Sequence, residues 1–234
     1  MKLSDTTISV LKNYSSINQN LKIGASNNLV TMSAMKNIVA QAKVEETFEK
    51  DVAIYDLNEF LAAMSLFESP ELDFQNEYVM MGNEGKTSSL KYWYSDPSVV
   101  TTVTKDITMP STEVTFTLSS DELSQITKSA AVIGAPDMVL ENGSLKVTDK
   151  KNQTANAFSM NVAKSDSDVD YAFWFKVENL KLMPGTYDVS VSSKKISYFH
   201  NTSVDIGYYI ALEPESHYGQ SNSLTIAFLC FINK

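Results

Sequence analysis

The sequence predicts an α+β protein of two similar halves, in which a few helices accompany many short antiparallel strands. Three observations predict it. Residues 3–18 and 118–133 each open on Leu-Ser and carry apolar residues at helix spacing. Each stretch is followed by short alternating or apolar runs broken by turn residues, the pattern of a small antiparallel meander. Each half then holds an apolar strand that runs into a helix, "DVAIYDLNEFLAAMSLFE" at 51–68 and "DYAFWFKVENL" at 170–180. The copies are offset by about 115 residues, which divides the chain into domains at 1–110 and 111–218 and leaves an apolar extension at 219–234.

In the first half Ser4 is placed to cap a helix whose apolar stripe is Ile8, Leu11, Tyr14 and Ile17, with Asp5, Ser9, Lys12 and Ser16 opposite. The runs "LKI", "NLVTMS" and "IVAQAKV" read as strands, and a further strand covers 52–55. Asp56 caps a helix over 56–67, Glu59 reaches back to it, and Leu57, Phe60, Leu61 and Met64 form the buried side. In the second half Ser119 and Glu122 cap a helix that buries Leu123, Ile126, Ala130 and Ile133, presents Lys128 on its other face and ends near Gly134. "MGNEG" (81–85) and "ENGSL" (141–145) read as hairpin turns, and Pro184 with Gly185 stops the short second helix. Between the halves, "DPSVVTTVTKDITMPSTEVTF" (96–116) fits an extended connector or edge strands at a domain junction.

Composition narrows the function. With 234 residues and 43% hydrophobic content the chain buries a proper core. No signal peptide is expected, no run approaches the length of a membrane helix, and a single cysteine, Cys230, fits a cytoplasmic protein. The net charge is −9, and all nineteen basic residues are lysine. Without the guanidinium fork, an anion is held loosely rather than clamped. An AT-rich coding sequence would leave the same mark.

The catalytic inventory is thin. His200 and His217 have no partner at metal-ligand spacing, and Cys230 lies in an apolar run that does not lower a thiol pKa. "SDSDVD" (165–170) lacks the glycine and closing glutamate of a calcium loop, and no glycine-rich phosphate loop occurs. A non-enzymatic protein without cofactor or metal is the better reading.

Several segments, in order, resemble the DNA sliding clamps, specifically the polymerase processivity factors of T-even-like bacteriophages. They are "MKLS" with the helix bearing "LKN", "FEKDVAIYDLNEFL", "DPS" at the start of the connector, and "MPGTY"; "YYIALEPE" (208–215) is also similar to the closing strand of eukaryotic clamps. The resemblance implies the DNA clamp fold: homotrimeric rings with antiparallel sheets outside and helices lining a hole that encircles duplex DNA. It implies work in the cytoplasm of an infected bacterial host, with the phage DNA polymerase, an ATP-dependent clamp loader and late-transcription factors as partners. Lys2, Lys12, Lys128 and Lys181 are then expected to face DNA, and Asn58, Ala62 and Ser65 to turn small side chains inward. A pocket for partner peptides would draw on Met32, Val99, Val100, Met109, Tyr209 and Ala211. "YGQSNSLTIAFLCFINK" (218–234) departs from the family pattern and would add a strand, plug the partner pocket or serve no function. Two other classes compete: a trimeric β-rich phage tail or baseplate protein, and a hydrolase built on His200 or His217.

Overall fold

The computed structural model describes residues 1–83, 85, 87–103, 107–162 and 169–219. Most of the "SDSDVD" loop and nearly all of the apolar extension, including Cys230, lie outside them. The first half runs α1 (Asp5–Ile17), β1 (Leu21–Ile23), β2 (Asn28–Met32), β3 (Ile38–Lys43), β4 (Val52–Ile54), α2 (Leu57–Met64), β5 (Pro70–Phe74), β6 (Tyr78–Asn83) and β7 (Ser89–Trp93). A 3-10 turn, Pro97–Val99, opens the connector. The second half runs β8 (Val114–Leu118), α3 (Ser120–Ile133), β9 (Asp137–Glu141), β10 (Ser144–Thr148), β11 (Phe158–Asn161) and β12 (Tyr171–Lys176). After a 3-10 turn at Val177–Asn179 come β13 (Tyr187–Ser192), β14 (Ile196–Asn201), β15 (Ile206–Ala211) and β16 (His217–Tyr218).

The largest sheet joins the halves. Its order is β2-β3-β15-β14-β13-β8, all antiparallel, and β3 meets β15 from Ile38↔Ile210 to Ala42↔Ile206. A five-stranded sheet, β11-β10-β9-β12-β16, and a three-stranded one, β5-β6-β7, flank it, while β1 pairs with β4. Because side chains alternate across a strand, the register sorts the large sheet into two faces. Thr31, Ala40, Tyr208, Phe199, Val189 and Phe116 form one buried cross-strand row. All of them except Thr31 share a core cluster with Leu11 and Tyr14 of α1 and with Leu123 and Ile126 of α3. Each large apolar side chain among them contributes roughly 1.5–3 kcal/mol by leaving water.

The expected caps are present. Ser4 Oγ accepts the Thr7 N–H at 3.2 Å, the Ser119–Glu122 capping box is complete, and Gly134 ends α3 at φ 64°. Asp56 accepts the Asn58 and Glu59 N–H groups at 3.0 Å, but the side chain that reaches back to it is Gln19, at 2.9 Å, not Glu59. Two buried stripes shift slightly. Val10 and Ala63 are buried where Ile8 and Leu61 are only partly so, because the packed surface drifts around a helix of 3.6 residues per turn. The helix expected at 56–67 covers Leu57–Met64, since Ser65 ends it. Asn142 (φ 46°) and Gly143 (φ 86°) make the tight hairpin between β9 and β10.

The connector combines its two expected forms: Asp96 caps the 3-10 turn, and the far end becomes β8 at an edge of the large sheet. The first half has no equally long counterpart to β8 among the described residues. There Met1 alone exchanges two backbone hydrogen bonds of 2.8 Å with Leu72 of β5.

Candidate nucleic-acid interface and partner groove

Helices α1 and α3 cover the same core with the same phase. Counting by burial, Thr7, Val10, Tyr14 and Ile17 correspond to Leu123, Ile126, Ala130 and Ile133, an offset of 116. Asp5 then matches Asp121, Ser9 matches Gln125, and Lys12 matches Lys128, all of them exposed. Each helix thus shows solvent a strip with one acid at its start and one lysine two turns on. Neither lysine makes an ion pair among the described residues. The strip on α2 has no lysine; Asn58, Ala62 and Ser65 are exposed there.

Local contacts fix these helices. The Glu46 carboxylate receives the Ser4 N–H and the Thr7 hydroxyl at the positive end of α1. Burial raises its pKa, but those hydrogen bonds outweigh the effect and hold it below the usual range. At the other end Asn13 and Lys181 exchange support across the halves. Asn13 Nδ2 donates to the Lys181 carbonyl at 2.9 Å, and the Lys181 ammonium donates to the Ser16 carbonyl. Asn13 Oδ1 also accepts from the buried Tyr208 hydroxyl at 2.9 Å, whose oxygen takes the Met183 N–H at 3.2 Å. Lys181 therefore seals the end of α1, where unpaired carbonyls and the helix dipole favour a cation. The Lys2 ammonium lies 3.5 Å from Glu71.

The opposite face of the large sheet carries a row of Met32, Val39, Tyr209, Tyr198, Ser190 and Thr115. Tyr198 packs on Tyr209 with ring centroids 4.6 Å apart, and its ring lies across Gly207, where any Cβ would collide. Beside this row the connector closes an open groove of ≈ 430 Å³. Val39, Ile196, Tyr209 and Ala211 line it from the sheet, Ile107, Thr108 and Pro110 from the connector. Lys36, Lys194 and Lys195 complete it.

Of the pocket residues expected from sequence, Tyr209 and Ala211 line this groove. Met32 stands in the same cross-strand row but outside the lining, and Met109 lies between Thr108 and Pro110 without joining it. Val99 and Val100 are elsewhere: Val99 is 55% exposed, Val100 is buried, and the adjacent Thr101 N–H bonds Asn20 Oδ1 at 2.7 Å, near the start of β1. The lysines escaped sequence reading because each sits on a hairpin tip, Lys36 between β2 and β3 and the Lys194–Lys195 pair between β13 and β14. Only strand order brings the tips together.

A second charged cluster also went unforeseen. Asp137, 1% exposed, accepts from Lys176 Nζ at 2.6 Å and from the Lys150 N–H at 3.1 Å. Lys150 also pairs with Glu213 at 3.2 Å and with Glu215, which fastens the segment before β16 to the five-stranded sheet. Burial alone would push the Asp137 carboxyl up, but the Lys176 hydrogen bond, the Lys150 N–H and both ammonium charges hold it below the ordinary range. His217 lies 3.6 Å from Asp170, and His200 stacks on Tyr198. Among the described residues no group of His, Cys, Asp and Glu is arranged to hold a metal, and no helix is long and apolar enough to cross a membrane.

Two helix-led meanders fused through one sheet, with helices on one face and bare strands on the other, make this a DNA clamp fold. Solved structures agree. Proliferating cellular nuclear antigen from Entamoeba histolytica aligns with a TM-score of 0.66 at 15% identity, covering 91% of this chain and 97% of that one. The Thermococcus kodakaraensis protein of the same name aligns at 0.67 with 11% identity, covering 90% and 98%. Sequence carries the assignment further. The profile of the DNA polymerase processivity factor family matches residues 2–100, and that of the gp45 sliding clamp C-terminal domain matches 109–214. The sliding clamp of Vibrio phage KVP40 is 34% identical over 223 residues, covering 91% of this chain and 99% of its own. Those of Escherichia phage RB69 and Enterobacteria phage T4 are 28% and 26% identical, each covering 92% of this chain and 98% of its own. The chain belongs to the phage sliding clamp family, the DNA polymerase processivity factors, which are non-enzymatic scaffolds.

Proposed function

We propose that three copies of this chain close into a ring around duplex DNA and tether the phage replicative polymerase for processive synthesis. The observation that supports the ring best is the β3·β15 joint. Among the described residues seven strands follow the leading helix of the first half and eight that of the second, and the joint pairs the third strand of the first set with the seventh of the second. Their counterparts, β11 and β7, are edge strands of their sheets. Repeating the internal joint between copies pairs β11 of one with β7 of the next. Such a head-to-tail contact gives a ring when its rotation closes, and it covers edges that would otherwise invite aggregation.

Within that ring Lys12 and Lys128 supply mobile, sequence-independent contacts to phosphate. Lys2 and Lys181 face DNA less effectively, since Glu71 and the Ser16 carbonyl engage them. Asp5 and Asp121 dilute the attraction, which suits a protein that slides and is retained by topology. The acidic remainder repels DNA from the outside. The two repeats act as domains at 1–110 and 111–218. An ATP-dependent loader opens the ring in the cytoplasm of the infected bacterium, and the polymerase and late-transcription factors dock at the groove around Tyr209 and Ala211. Sedimentation equilibrium is the test: a mass three times the 26.0 kDa of one chain supports the ring, and a monomer at every concentration, with no ring in electron micrographs, overturns it.

A further inference from the structure

Two large apolar side chains on the helix side stand open in a single copy. Val132, in the last turn of α3, is 85% exposed, and Leu66, just past the end of α2, is 71% exposed. Single apolar residues are ordinary on any surface, and exposure alone gives them no role. The repeat does, because their counterparts meet. The offset of 116 that lays α1 on α3 carries Asn13 to Ser129 and Ser16 to Val132. Residues 63–66 precede β5 at the same distance as residues 180–183 precede β13. At the internal joint these counterparts touch. Asn13 Nδ2 donates to the Lys181 carbonyl at 2.9 Å, and the Lys181 ammonium donates to the Ser16 carbonyl, on the helix side of the β3·β15 pairing.

We propose that the joint between copies has the same second layer in apolar form, Val132 of one copy packing on Leu66 of the next beneath the β11·β7 pairing. The proposal rests on the ring reading and names the helix-side contact that the strand edges leave open. The direction agrees: α3 belongs to the half that ends in β11, and α2 to the half that ends in β7. The change of chemistry has a local cause. α1 runs into Asn18 in extended backbone, and its open end takes the Lys181 ammonium. α3 closes on itself: Gly134 turns left-handed at φ 64°, its N–H bonds the Ala131 carbonyl at 3.4 Å, and the Ala135 N–H bonds the Ala130 carbonyl at 2.8 Å. An end so capped needs no cation, and the residue facing it can be a leucine. The joint inside the chain is therefore sealed by a charge, and the joint between copies by two side chains that gain only by leaving water together.

The test is cross-linking on the full chain with Cys230→Ser, so that only introduced thiols react. L66C with V132C, treated with a short bismaleimide, is expected to give covalent dimers and trimers on a denaturing gel, while either cysteine alone gives monomer. In a separate variant L66D should weaken association about tenfold by sedimentation and leave the circular dichroism unchanged, since the side chain is open in a single copy. V132K added to L66D should recover part of that loss. Trimers that the cysteine pair does not cross-link, and that L66D leaves intact, would overturn the apolar layer and keep the ring. An unaltered chain that sediments as a monomer at every concentration would overturn the ring reading and the proposal with it.

Discussion

Tyr208 and Tyr209 are neighbours on β15 and serve opposite faces of one sheet. Tyr208 is fully buried under α1, its hydroxyl shared between Asn13 and the Met183 N–H. Tyr209 is partly exposed, packs on Tyr198 and lines the connector groove. Lysines differ between the faces in the same way: one on each of the α1 and α3 strips, two turns after an acid, and three around an apolar floor on the other face. In the proposed ring the helix face meets DNA through a few mobile charges and the groove face takes a partner segment.

The largest expected effect breaks the pair apart. Tyr208→Ala removes a buried ring and strands the Met183 N–H and Asn13, so it should cost about 3–5 kcal/mol in urea unfolding. Tyr209→Ala should cost about 1 kcal/mol or less by the same measurement while abolishing peptide capture, since its ring is only half covered. A similar loss in both would show that the two faces are not energetically distinct.

Next in size is Asp137→Asn. It leaves the ammonium groups of Lys176 and Lys150 without their buried carboxylate and should cost about 3 kcal/mol. The same cluster sets a pH window. Asp137 titrates below its unfolded value near 3.9, so its stabilisation is complete above that pH and drains as pH falls through the lower folded value. For Lys150, burial lowers the pKa, but hydrogen bonds to Glu215 and Glu213 raise it further. Its share is therefore complete below about pH 10.4 and lost as pH rises through the higher folded value. Melting curves across pH should show Asp137→Asn flattening the acid limb; an unchanged limb would remove the cluster from the account.

The helix strips should respond without loss of fold. K12Q with K128Q is expected to change stability by less than about 0.5 kcal/mol and to reduce the salt slope of DNA binding by up to about two for each subunit of the ring. An unchanged slope would take the strips away from DNA. Smallest is Lys36→Gly, which should stabilise by about 0.5–1 kcal/mol in urea unfolding by relieving a left-handed lysine.

Much of the scaffold is legible in the sequence because it is local. Ser4, Asp56 and Ser119 each stand where a side-chain oxygen reaches backbone donors two or three residues on, and Asn142-Gly143 and Gly134 occupy positive-φ positions that few residues tolerate. The paired Lys12 and Lys128 also follow from periodicity within one helix each. The groove was legible only through Tyr209 and Ala211, since Val99 and Val100 share a connector with its lining yet sit at the other end of that segment's path.

What the sequence by itself determined, then, is the inventory of the two repeats: their caps, turns, strand runs and helix phases, all set by interactions a few residues long. Tertiary structure alone decided the β3·β15 joint, the meeting of two hairpin tips that places Lys36 beside Lys194, and the burial of Asp137 between Lys150 and Lys176. The reason is physical. Strand pairing and ion-pair geometry depend on which backbones come to lie about 4.8 Å apart, and alternation along a strand is the same whichever partner it finds.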